Sequence, residues 1–165
     1  MEDYLSHAAG RLTADGATVS SGQIGGLNAI VGYRSQFRLS WMATHLHLLT
    51  VIAAKPDVSA GDLPAFVDAA LDYAKAAKGQ WRGLQSGVAV IAALIGHQVD
   101  PGAAAYARDQ LVRKFAALAW PVVVDLSTGQ VHSHQGRVAI GGIYAGYLRQ
   151  QTAIALPEPA LLAGP

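Results

Sequence analysis

WMATHLHLLTVIA, residues 41–53, admits two drawings, and the rest of the chain follows from the one that is taken. Drawn as a helix, Trp41–Leu49 scatters its histidines around a cylinder. Drawn extended, His45–Ala53 is a strand. His45 and His47, two residues apart, then share one face of a sheet. We take the extended drawing, with Ser40–Thr44 as the link to the segment before it. Upstream, Leu27–Leu39 also reads as a strand. Phe37, Leu39 and Trp41 alternate with Gln36, Arg38 and Ser40, the period-two pattern of a half-buried sheet.

Working toward the N-terminus, Ala17–Gly26 is rich in Gly and Ser and is expected to hold a short strand, Thr18–Ser20, and a turn. Before it, Tyr4, Leu5, Ala8, Ala9 and Leu12 recur at helical spacing, and Asp15-Gly16 ends that pattern. Working toward the C-terminus, Ser59 and Asp62 resemble a capping box with Asp in place of Glu. Leu63, Phe66, Val67, Ala70, Leu71, Ala74 and Ala77 follow as one apolar stripe, ended by Gly79. Val88–Ile95 is a continuous apolar run, long enough for a buried strand and short for a helix. Asp100-Pro101 places a capping residue before a first-turn proline and opens a third helix, expected to run to about Lys114. Phe115–Asp125 is a strand in which Pro121 implies an edge or a bulge. Ser127-Thr128-Gly129 turns Val122–Leu126 into Gln130–His134 as a hairpin. Ile143, Tyr144, Tyr147, Leu148, Gln151 and Ile154 trace a fourth helix from Gly142, stopped by Pro157 and Pro159.

The expected fold is therefore α+β: a single domain over residues 1–156, with a mainly antiparallel sheet of about five or six strands and about four helices packed on one face. Residues 157–165 are expected to form an apolar C-terminal tail, with Leu161 and Leu162 available to dock across a subunit boundary.

Charged residues make up 14% of the 165-residue chain, against about 25% in a typical domain. The net charge is +1, and the chain has neither a basic field to steer it onto nucleic acid nor an acidic tail. A nucleic-acid partner is thus not expected. The absence of cysteine excludes disulfides, thiolate metal ligands and cysteine nucleophiles. Met1-Glu2-Asp3-Tyr4 is acidic where a secretory signal would be basic. The apolar runs Val88–Ile95 and Phe115–Val124 fall short of the roughly 20 residues that span a bilayer. A cytoplasmic setting without membrane association is expected, and the abundant alanine fits a GC-rich bacterial genome.

Three groups of residues carry chemistry worth following. The pairs His45/His47 and His132/His134 would make a four-imidazole metal site if their strands were neighbours facing the same way. Acid ligands are scarce near both, however. Asp57 is the only one within ten residues after His47, and Asp125 is the only one near the second pair, so no metal ligands are assigned. The Gly-rich loop Lys78–Gly87 carries Lys78, Trp81, Arg82 and Gln85, which would clamp an anion and stack on a ring. It leads from a helix into a strand, the reverse of a phosphate loop, and its plain alternative is an ordinary connection. Arg34 and Arg38, with Gln36, project from one strand face opposite Tyr33, Phe37, Leu39 and Trp41, either as a solvated face or as a surface for an anion or a partner. Nucleophile motifs are missing: there is no G-x-S-x-G, H-E-x-x-H, Walker A sequence or G-x-G-x-x-G. Asp125 is expected to open the hairpin turn.

The expectation drawn from this is a small non-catalytic protein that acts through a protein–protein interface. Its partner would be a copy of itself or another protein, because so few charges leave surface to be covered. The alternatives are a His-rich metal-binding protein or metal-dependent enzyme, and a binder of an anionic small molecule or nucleotide through the Lys78–Gly87 loop. The sequence implies no particular cofactor.

Overall fold

The computed structural model describes residues 1–41, 44–78, 86–114, 117–137 and 142–162. Helix α1 (Glu2–Ala14) leads into the hairpin β1 (Thr18–Ile24) and β2 (Leu27–Arg38), then a single 3₁₀ turn, Leu39–Trp41, and β3 (Thr44–Ala54). Next come β4 (Asp57–Val58), α2 (Asp62–Lys78), β5 (Ser86–Gly96), β6 (Gln98–Val99) and α3 (Pro101–Asp109). The chain closes with β7 (Val112–Lys114), β8 (Ala117–Asp125), β9 (Gln130–Ser133), α4 (Gly142–Ala155) and α5 (Pro159–Leu162). The extended drawing of residues 44–54 is the one adopted.

Seven strands form one sheet in the order β1-β2-β3-β5-β8, with β7 and β9 both lying along the outer side of β8. β1–β2, β2–β3, β7–β8 and β8–β9 are antiparallel, whereas β3–β5 and β5–β8 are parallel. The α+β class stands, but the sheet is larger than expected and mixed, with a parallel centre.

The helices do not share one face. α2 and α3, which make the parallel crossovers, cover a core that includes Val51, Leu63, Val67, Leu71, Val90 and Leu94. On the opposite face, Tyr4, Leu12, Leu46, Ile52, Trp120 and Leu148 form a second core under α1 and α4. The physical reason lies in β5. Each residue from Val88 to Ile95 is buried, so both phases of the strand are apolar, as a strand covered on two sides requires. A three-layer arrangement also accounts for much of the low charge content, because it buries more apolar chain than a two-layer one.

Local chemistry sets the other departures. Gly25 and Gly26 have φ of 60° and 77°, and Ile24 pairs with Leu27 across them. These are the conformations of a two-residue type I′ hairpin turn, and they let the first strand continue past Ser20 to Ile24. The third helix stops at Asp109 rather than near Lys114. Gln110 is already extended, and Val112–Lys114 pairs with Ala117–Ala119 as β7. β8 runs unbroken through Pro121. The proline stands where the outer neighbour changes, since β7 ends opposite Ala117 to Ala119 and β9 begins opposite Val122. That gap suits a residue without an N–H.

At the carboxyl ends of the parallel strands the chain repeats itself. β3 continues through Lys55-Pro56 into β4 and α2, and β5 continues through His97 into β6 and α3. β4 and β6 pair, with Asp57 opposite Gln98 and Val58 opposite Val99. Ser59 and Asp100 then occupy equivalent stations before their helices. The likeness is one of backbone geometry, and the two segments share little more than Val58/Val99 and Gly61/Gly102.

Candidate interaction surface

β1 is paired on one side, by β2, and no other described strand lies along it. Its seven residues, Thr-Val-Ser-Ser-Gly-Gln-Ile, contain no charge and no proline. An edge of that length and composition lacks the devices by which sheet edges are usually kept from pairing. The opposite margin has them: β7 is three residues long and carries Arg113 and Lys114, β9 is four residues long, and Pro121 separates the two.

β2 outruns β1. Thr18 pairs with Tyr33, so among the described strands Arg34–Arg38 have a partner only on the β3 side. The two faces of this projecting step differ. On the α1/α4 side, Arg34 forms an ion pair with Asp15 at the end of α1. Arg38 lies over the rings of Trp41 and Tyr147, 4.9 and 5.1 Å from their centroids. With its amide oriented to satisfy both ends, Gln36 donates to the Tyr147 hydroxyl at 2.9 Å and accepts from Arg38 at 3.1 Å. Burial pushes the Tyr147 hydroxyl pKa up, so the phenol stays neutral beside these cations. On the other side, Tyr33 and Phe37 face His47 and His45. The Tyr33 hydroxyl hydrogen-bonds His47 Nδ1 at 2.8 Å, and the Phe37 and His45 rings lie 4.9 Å apart.

This inverts the expected polarity of the strand. The arginine row is half-buried and faces helices, whereas Phe37 is 46% and Leu39 80% exposed. Trp41 is 3% exposed because the 3₁₀ turn carries it across to the α4 side, where it meets Tyr144 and Tyr147. Arg34 is thus engaged by Asp15, and Arg38 by the Trp41 and Tyr147 rings, on the α1/α4 side. An uncharged open edge running into an exposed apolar step is what the surface offers.

The remaining predicted residues fall elsewhere. Trp81, Arg82 and Gln85 lie outside the described residues, as does the side chain of Lys78, the last residue of α2. The histidine pairs do not meet. His132 pairs with Val123, Val123 with Leu94, and Leu94 with Ala53. The second pair thus lies three strands across and six residues along from His47, roughly 25 Å away at standard sheet spacings. Among the described residues, no three His, Asp or Glu side chains are grouped to hold a metal.

The second pair instead serves the end of α3. His134 Nδ1 donates to the Arg108 carbonyl at 2.8 Å, satisfying a helix-terminal acceptor, and His132 Nδ1 lies 3.2 Å from the Arg108 guanidinium. Burial, then the Arg108 charge, lowers the His132 pKa. Asp125 opens the hairpin turn as expected. Its carboxylate accepts from the Ser127 N–H and hydroxyl and from the Thr128 N–H at 2.7–3.2 Å. Burial alone would raise its pKa, and those hydrogen bonds reverse the shift and hold it below the usual carboxylate range.

Lys55 has no counterpart in the sequence reading. At the carboxyl end of β3 its ammonium donates to Asp62 at 2.5 Å, and Asp62 also accepts from the Ser59 N–H and hydroxyl at 2.7 Å. The capping box is half formed: the acid reaches back to Ser59, while the Ser59 hydroxyl turns to the acid rather than to the helix backbone. Its signal was present, since Lys55 sits seven residues before an acid already placed at a helix start.

No described helix is long and apolar enough to cross a membrane. Comparison with known proteins brings no match to a family model, to a curated protein or to a solved structure.

Proposed function

We propose that this protein is a non-catalytic assembly unit that joins a second copy of itself through the open β1 edge, in a cytoplasmic and bacterial setting. The observation that carries the reading is the contrast between the two sheet margins. One is long, uncharged and continuous with exposed Phe37 and Leu39, and the other is short, charged and interrupted. Antiparallel pairing of two β1 strands about a twofold axis at Ser21 sets Thr18 opposite Ile24 of the second copy and Val19 opposite its Gln23. Ser21 then meets Ser21, and no like charges confront one another along the strand. Main-chain hydrogen bonds supply the association, as in other strand-addition interfaces, and the twofold axis makes the contact self-complementary. The composition argument contributes less than it does from sequence alone, because the two-sided core already absorbs much of the apolar excess.

The test is sedimentation velocity on the full chain and on Ser21→Lys. Lysine at the axis places two like charges directly opposite each other, which disfavours the pair. The wild-type chain is expected to sediment as a dimer, and the variant as a folded monomer with an unchanged circular dichroism spectrum. A wild-type chain that stays monomeric at high concentration, or a variant that stays dimeric, overturns the reading.

A further inference from the structure

A cavity of about 340 Å³ opens between α1, β9 and the α4–α5 connection. It brings Arg11 from α1 together with Arg149 from α4, residues far apart in sequence. Both guanidinium groups are pinned by main-chain carbonyls. Arg11 Nε donates to the Ile154 carbonyl at 2.5 Å. Arg149 donates to the carbonyls of His134 and Gly136, and its guanidinium lies 5.7 Å from the centre of the buried Trp120 ring. Neither arginine forms an ion pair among the described residues, although each retains terminal N–H groups beyond those bonds.

The rest of the lining divides by chemistry. Ser133 Oγ accepts from the Gln135 side chain at 3.1 Å, so its own proton remains to be donated. Val131, Ala153, Leu156 and Pro157 supply the apolar part of the lining. Among the described lining residues Glu158 is the one acid, so with Arg11 and Arg149 they carry a net charge of +1. Fixed guanidinium forks suit a planar carboxylate, and orientation by the main chain removes much of the ordering cost of binding.

We propose that this cavity is a binding site for a small monocarboxylate with an apolar body, with Arg11 and Arg149 taking the carboxylate and Val131, Ala153 and Leu156 taking the body. The site is independent of the assembly reading, since none of its residues belongs to β1 or to the Phe37–Leu39 step.

Isothermal titration of the full chain with hexanoate, against hexanol and inorganic phosphate, tests it. Hexanoate is expected to bind saturably at one site, and both controls to bind at least tenfold more weakly. Arg11→Gln should weaken hexanoate tenfold or more. Glu158→Gln, which removes the opposing charge, should tighten it several-fold, an effect that misfolding does not produce. Absence of saturable hexanoate binding, equal binding of hexanol or phosphate, or no change in either variant overturns the assignment.

Discussion

Asp62 shows how much one carboxylate holds in this fold. The Lys55 ammonium first, then the Ser59 hydroxyl and N–H, bring its pKa down to about 2. The ionised form is therefore favoured in the folded chain, and its contribution is complete above the ordinary carboxylate range and lost as pH falls through about 2. Asp62→Ala removes the helix-start acceptor and leaves Lys55 unpaired. We expect a loss of about 1–2 kcal/mol at neutral pH in urea denaturation. His132 also loses stability toward acid, but there it is the neutral form that the fold favours. Burial and Arg108 make it harder to protonate in the folded chain, so the unfolded chain takes up the proton first as pH drops below about 6.5. Stability should decline from that point until the folded His132 is itself protonated, and His132→Gln should flatten the decline in a pH series of denaturation midpoints.

At the level of elements, Gly96 lies where the β3–β4 connection packs against the end of β5. A Cβ there would lie 2.8 Å from the Val58 side chain and 3.2 Å from the Lys55 and Gln98 carbonyl oxygens. Gly96→Ala must push one segment off the other, and about 1–3 kcal/mol of destabilisation is expected from overpacking, measured as a lowered thermal midpoint. Much of the element order was legible without coordinates. The α2 stripe, the Asp100-Pro101 start of α3, the hairpin after Asp125 and the extended character of residues 45–53 all follow from local pattern. The placement of helices on two faces did not follow, although Val88–Ile95, apolar in both phases, was its trace. The inverted polarity of β2 was not legible at all. The partners that draw Arg34 and Arg38 inward are Asp15, Trp41 and Tyr147, and of these only Trp41 is a near neighbour in sequence. Arg11 and Arg149 likewise meet only once α1 and α4 have packed on the same face of the sheet.

For the whole molecule, assembly and stability are linked. If β1 pairs with a second β1, the dimer is the form that resists unfolding, so the thermal midpoint should rise with protein concentration. Ser21→Lys should remove that dependence while leaving the dilute midpoint unchanged. Helices α2 and α3 on one face and α1 and α4 on the other already cover the sheet, which leaves the margins as the places where two copies can add backbone to backbone.

Pro121 carries a last consequence. At the β8 margin the ladder is broken between two short outer strands, so an incoming chain finds no continuous row of donors and acceptors there. If β1 pairs with a second β1, growth starts at that border and finds no second one among the described strands from which to propagate. A twofold pair would then be the end point, because short outer strands, the charges of Arg113 and Lys114 and the imino acid between them together deny the second unguarded border that a ribbon or fibre requires.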